Sequence, residues 1–348
     1  MFCYLAGMDF DIVMPLTLFV VTMVAMFLNK RIEGKLKGAL EEKEFRARDA
    51  AMLVAAMAVA VSIIVFVPQL AIMIVFLFSY SMLLFMFGYL FSGMRKGRAI
   101  VGLEAFVTAG LVAGVVRLTV FGDVDNALYG AVTFCGLAVF ALGALLYETR
   151  RTGTGERWYL AVLPPALFIG LYLFFSQTTL WFPYLLDFYG LMFAVLIIMY
   201  LSSLFKWSIT LLFVVLLTIM DIILVLFTGT MVSAARSVSA LRLPVLVSLP
   251  TIPEIVYEGN RLYMSLGLGD FFFAGLLTIQ TLKRYGRGIA VSAAIAMAAT
   301  FAVFEVYILN FSVTAFPGTL MIICGWLIVV VAVELVRLIQ STRQPSVS

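Results

Sequence analysis

The sequence predicts an all-α, polytopic transmembrane bundle of about 9–11 spans, and three observations carry that expectation. Of 348 residues, 64% are apolar and only 12% charged, enough at about 20 residues per crossing for roughly eleven spans. Mean hydropathy is +1.13, which excludes a soluble globular domain and a disordered chain. The apolar residues lie in runs punctuated by Gly, Pro or charges, with no stretch long enough between them for a separate water-soluble domain.

The first run, about residues 10–28, follows Asp9 and Asp11 in place of a basic segment and has no small-residue cleavage site behind it. It reads as a retained span and not a signal peptide. The others fall at about 50–67, 70–93, 99–121, 127–147, 159–176, 184–205, 207–229, 262–282, 288–309 and 315–340. This divides the chain into amino-terminal helices at 1–206 with a basic loop at 29–49, a core at 207–340 with a connection at 230–261, and a tail at 341–348. If the basic loop is cytoplasmic, alternation puts 19 of the 23 Lys and Arg on that side. The amino terminus is then expected outside and the carboxyl terminus inside.

Histidine is absent, which removes the usual base of serine and cysteine hydrolases and the paired ligands of an HExxH zinc site. Cys3, Cys135 and Cys324 are odd in number and read as packing residues. No metal and no cofactor is expected, and no nucleic-acid partner. Chemistry must then come from carboxylates.

Most of the acids in the runs have a plain reading. Glu104 can reach headgroups, Arg117 can snorkel, Glu334 and Arg337 are spaced for a local pair, Asp187 is near a helix end and solvated, and Glu305 is a weaker candidate for a role. Asp221 and Asp270 differ, because no cation stands near either in sequence, and a carboxyl inside a membrane marks function by default. Each lies eight residues from the outer end of its run, about 12 Å deep, on consecutive helices. They are level and can meet. Two carboxyls facing each other out of water share one proton. In an aspartic protease such a pair activates a water with one member and protonates the scissile carbonyl with the other. Gly267 and Gly269 before Asp270 permit close approach of a helix or a substrate strand; alone, the tetrapeptide is also ordinary helix packing.

Met220-Asp221-Ile222-Ile223-Leu224-Val225, Gly229-Thr230-Met231-Val232-Ser233-Ala234-Ala235, the run Leu243-Pro244-Val245-Leu246-Val247-Ser248-Leu249-Pro250, Gly267-Leu268-Gly269-Asp270 and Pro317-Gly318-Thr319-Leu320 together resemble the GxGD intramembrane aspartyl proteases, the presenilin and signal peptide peptidase family. The likeness covers residues 207–340. It implies a presenilin-like core and cleavage of transmembrane or signal-peptide helices within the lipid bilayer, with Asp221 and Asp270 as the catalytic pair. The expected outside amino terminus is closer to signal peptide peptidase and its archaeal relatives, and short loops without targeting signals suit a prokaryotic, archaeal cell membrane. The chain departs from the family in Met220, where a tyrosine is usual, in Pro-Gly-Thr-Leu for Pro-Ala-Leu, and in about eleven spans for nine.

Cutting a helix requires unwinding it, which leaves backbone groups unsatisfied in lipid. An enzyme must offer an edge. Val245, Leu246 and Val247, between Pro244 and Pro250, are the expected strand for it, or else an interfacial loop; Pro317 and Gly318 would complete the recognition wall. The rival reading is a proton-coupled transporter using Asp221 and Asp270, which should carry an inverted repeat; neither Asp motif recurs.

Overall fold

A computed structural model describes residues 8–39, 45–67, 69–70, 73–74, 96–148, 158–257, 259–311, 313 and 315–343. Among them, seven helices are long and apolar enough to cross a membrane, and two shorter apolar helices accompany them. The chain is an all-α polytopic membrane bundle with one small insertion of strands. In order the elements are α1 (Val13–Ala39), α2 (Ala47–Phe66), α3 (Lys96–Phe121), α4 (Val124–Glu148), α5 (Leu163–Phe175), α6 (Leu186–Ser202), α7 (Trp207–Ile222), α8 (Thr230–Ala240), β1 (Leu246–Pro250), β2 (Val256–Tyr257), β3 (Asn260–Arg261), β4 (Tyr263–Gly267), α9 (Leu268–Tyr285), α10 (Arg287–Asn310) and α11 (Gly318–Arg343). The expected span at 70–93 lies mostly outside the described residues.

Two compact units emerge, Met1–Ala71 with Gly190–Ser348, and Ile72–Tyr189. The sequence division at residue 206 differs from this one, because α1 and α2 pack with the carboxyl-terminal helices. Nor is 29–49 a loop throughout: α1 runs on to Ala39, as the Lys, Glu, Leu and Ala of that stretch favour.

In the unit Ile72–Tyr189, α3, α4 and α5 meet over Phe106, Phe134 and Leu163. Arg117 does not snorkel: its guanidinium pairs with Asp123 at 2.8 Å and lies over the rings of Phe121 and Phe175. Asp187, expected in solvent, is buried.

The other unit is built around α9. Residues 271–281 are buried without a break, so this helix is enclosed on every side. In lipid such packing is driven by dispersion, close backbone approach and interhelical hydrogen bonds. Trp326 Nε1 donates to Thr281 Oγ1 at 2.9 Å, and Gln280 Nε2 donates to the carbonyls of Ser202 and Phe205, fixing the break between α6 and α7. Bonds of this kind contribute about 0.6–2 kcal/mol each. At the far end of α9, Glu334 reaches across from α11 to Arg284 and Tyr285, and Arg337 lies over the Tyr285 ring. These contacts join two helices, and Arg337 also acts on Glu334 within its own helix, as the sequence spacing suggests.

The expected connection at 230–261 is structured. Ile223–Phe227 forms a π-helical turn after α7, Gly229 takes φ 65°, a left-handed conformation that glycine adopts without strain, and α8 begins behind it. Then β1 pairs antiparallel with β4, from Leu246 opposite Gly267 to Pro250 opposite Tyr263. The run at 262–282 is therefore not helical from its start. Its first residues form β4, because β1 offers that segment a ladder and Gly267 marks the change to helix.

Candidate functional site

Asp221 is the last residue but one of α7, just before the π-helical turn, and is 7% exposed. Asp270 is the third residue of α9, partly buried behind β4. Both line one cavity of about 550 Å³, and the Asp221 carboxyl acts electrostatically on Asp270. The chain that opens α11 touches both. Thr319 donates to Asp221 Oδ2 twice, from Oγ1 at 2.6 Å and from its backbone N–H at 3.2 Å. A Cβ built on Gly318 would stand 2.5 Å from Asp270 Oδ1, so only a residue without a side chain lets the backbone lie against that carboxyl.

The strands form another wall. Leu246 and the consecutive residues Met264, Ser265, Leu266 and Gly267 line the same cavity. Leu268 N–H donates to the Val245 carbonyl at 3.0 Å, which fixes the phase of the ladder. In an antiparallel pair, bonded and non-bonded positions alternate, so Met264 and Leu266 spend their backbone groups on β1. Tyr263, Ser265 and Gly267 turn theirs to the opposite edge. The Ser248 and Ser265 hydroxyls, 2.7 Å apart, bridge a non-bonded pair.

The expected site residues thus fall into three groups. Gly267, Gly318 and Pro317 stand at the aspartates: Gly267 and Gly318 line the cavity, and Pro317 precedes the turn at the head of α11. Gly269 is exposed, and a Cβ there would meet nothing within 4 Å, so its lack of a side chain serves no internal contact. Of the Val245-Leu246-Val247 run, Leu246 and Val247 are in β1, but the edge of that strand on the sheet side is already occupied by β4. Val247 is fully buried; only Leu246 lines the cavity. In the sequence Thr319 stands out only as a departure from a motif. Its signal is a hydroxyl at the start of a helix, a position where Ser and Thr satisfy groups that the helix cannot. Glu305 also lines the cavity, at 0% exposure.

Among the described residues, no group of three His, Cys, Asp or Glu is placed to hold a metal ion. Compared with known family models, with curated proteins and with solved structures, the chain matches none significantly.

Proposed function

We propose that the chain is an intramembrane aspartyl endopeptidase of the GxGD type, with its amino terminus outside, its carboxyl terminus inside and a presenilin-like core. The observation that carries this reading is the pair Asp221 and Asp270 in one cavity, each touched by the Gly318-Thr319 turn. Asp221 accepts two donors from Thr319 and Asp270 one, the Gly267 N–H, a difference that favours the charge on Asp221, so Asp221 is the base and Asp270 holds the proton. Asp221 takes a proton from water as the oxygen attacks the scissile carbonyl carbon, and Asp270 gives its proton to the carbonyl oxygen. As the tetrahedral gem-diol collapses, one hydroxyl returns its proton to Asp270 while C=O re-forms, the C–N bond breaks, and the proton taken from water passes from Asp221 to the leaving nitrogen.

The edge of β4 beside the pair supports proteolysis over proton-coupled transport. The Gly267 N–H bonds the Asp270 carboxyl, while the backbone groups of Ser265 and the Gly267 carbonyl face away from the sheet, where an unwound substrate can satisfy its own by adding a strand. A transporter has no use for such an edge. The substrates are transmembrane or signal-peptide helices in a prokaryotic, archaeal cell membrane.

The test is cleavage of a model transmembrane helix by purified protein in detergent. Asp221→Ala and Asp270→Ala should each abolish it and match the double variant, because neither carboxyl is both acid and base. A single variant keeping about a tenth of the activity, or proton flux in proteoliposomes with no cleavage, overturns the reading.

A further inference from the structure

Glu305 is the third acid of the cavity and the mechanism does not use it. It sits on α10, 0% exposed, and neither Oε1 nor Oε2 has a hydrogen-bond partner among the described residues. The charge that acts on it comes from Asp11, another carboxyl. Asp11 has no donor to lend: Oδ1 accepts the backbone N–H of Val13 and of Ile252, and Oδ2 that of Met14. Arg236 lines the same cavity from α8, and it too makes no hydrogen bond to Glu305.

A buried carboxyl without donors costs several kcal/mol. The surrounding lining is largely apolar, with Val232, Phe301, Ile308 and Phe316 among its residues, and none of its donors, Arg236 included, bonds the Glu305 oxygens. A cation brought to these two oxygens forms charge-assisted hydrogen bonds, about twice as strong as those of a neutral amide or hydroxyl. A segment lying along β4 to reach the aspartates passes through this cavity.

We propose that Glu305 is a specificity residue that takes a Lys or Arg side chain of the bound substrate; this rests on the protease reading. A basic side chain brings the missing donors, and Arg can engage both oxygens at once. It is thus read by the site at a fixed distance from the scissile bond, while the strand edge, which contacts backbone, accepts any sequence.

The experiment uses the full chain in detergent and a set of model helices, identical except for a single Leu, Lys or Glu moved through successive positions around the cut. Binding and cleavage are measured separately. At one position the Lys helix should bind wild type at least about tenfold more tightly than the Leu helix. Glu305→Gln should bring that ratio to within about twofold, and Glu305→Lys should favour the Glu helix. No position with a Lys preference in wild type overturns the proposal, a result that needs no variant to fold. An unchanged Lys-to-Leu ratio in Glu305→Gln, with thermal unfolding like wild type, also overturns it. Discrimination in binding without any cleavage supports the Glu305 assignment and sinks proteolysis; cleavage without discrimination sinks the Glu305 assignment alone.

Discussion

Replacing Gly318 with alanine adds one methyl group, and the geometry says where it goes. Its Cβ would lie 2.5 Å from Asp270 Oδ1 and 2.7 Å from Cγ, where real contacts stay beyond 3.0 Å and ordinary ones beyond 3.4 Å. The Asp270 carboxyl must therefore retreat by about 0.5–0.9 Å. Reacting groups need to be held to within about 0.5 Å, and a misplacement of about 1 Å costs on the order of 10²-fold in rate. Gly318→Ala is expected to lower kcat/KM about 10²-fold, or about 2.7 kcal/mol in the barrier. Stability should not follow. The atoms met belong to the tip of a side chain, and alanine in place of glycine in a helix gains about 0.5–1 kcal/mol, so Tm should hold or rise. The assay is steady-state cleavage of a quenched transmembrane peptide, with thermal unfolding on the same preparations. Gly288→Ala serves as control, because a Cβ there meets nothing within 4 Å. The family motif carries alanine at the corresponding place, so the resemblance alone predicts tolerance where this geometry predicts loss. Cleavage by Gly318→Ala within threefold of wild type would refute the argument.

Thr319→Val removes the hydroxyl that donates to Asp221 and keeps the backbone donor; it should cost about tenfold or more in kcat, the worth of one hydrogen bond to a charged group. Thr319→Ser should restore most of that, and equal loss in both would mean that the methyl group's packing, not the donor, is what matters. Ser265→Pro deletes an N–H that faces away from β1, so the sheet keeps its bonds while an added strand loses one; kcat/KM should fall about tenfold. Ser265→Ala, which gives up only the hydroxyl bridge to Ser248, should cleave within about threefold of wild type, and equal rates for the two variants would show that the β4 edge does not pair with substrate.

What was legible in the sequence is what composition and periodicity encode. Apolar runs of membrane length give the helices, and carboxyls isolated within them single out Asp221 and Asp270, since a charge there has no ordinary explanation. The strands were harder. Residues 263–267 read as the start of a helix because Tyr, Met, Leu and Gly sit in an apolar run that continues as helix, and only a partner 17 residues away, as Ser248 is to Ser265, turns them into an edge. Pairing over such a separation leaves no local trace. Thr319 was illegible for a related reason: its donors matter through a carboxyl 98 residues earlier in the chain. Arg117 and Glu334 found partners on the far side of a helix end or on another helix, which spacing along one helix does not report.

In the proposed mechanism the pair shares one proton and keeps one negative charge within the bilayer, and removing a carboxylate from water costs several kcal/mol. No Lys or Arg touches either carboxyl among the hydrogen bonds of the described residues. The fold meets that cost with backbone. Asp270 is the third residue of α9, in the first turn, and accepts the backbone N–H of Gly267, the residue just before the helix. Asp221 receives the N–H of the second residue of α11, so it too rests on a helix amino terminus. Each such end stabilises an anion by about 0.3–1 kcal/mol when exposed and up to about 2 kcal/mol when partly buried. The Thr319 hydroxyl adds about 1.5–3 kcal/mol on Asp221. Two helix ends and one hydroxyl are of the order of the desolvation cost, and because the hydroxyl acts on Asp221 alone they favour the charge there and leave the proton on Asp270, as the proposed mechanism requires. A lysine or arginine beside the pair would instead hold both as carboxylates and leave no acid to protonate the carbonyl. In this reading no Lys or Arg bonds the aspartates among the described residues, although Arg236 lines the same cavity, and Glu305, without a hydrogen-bond partner, is where a cation of the substrate belongs.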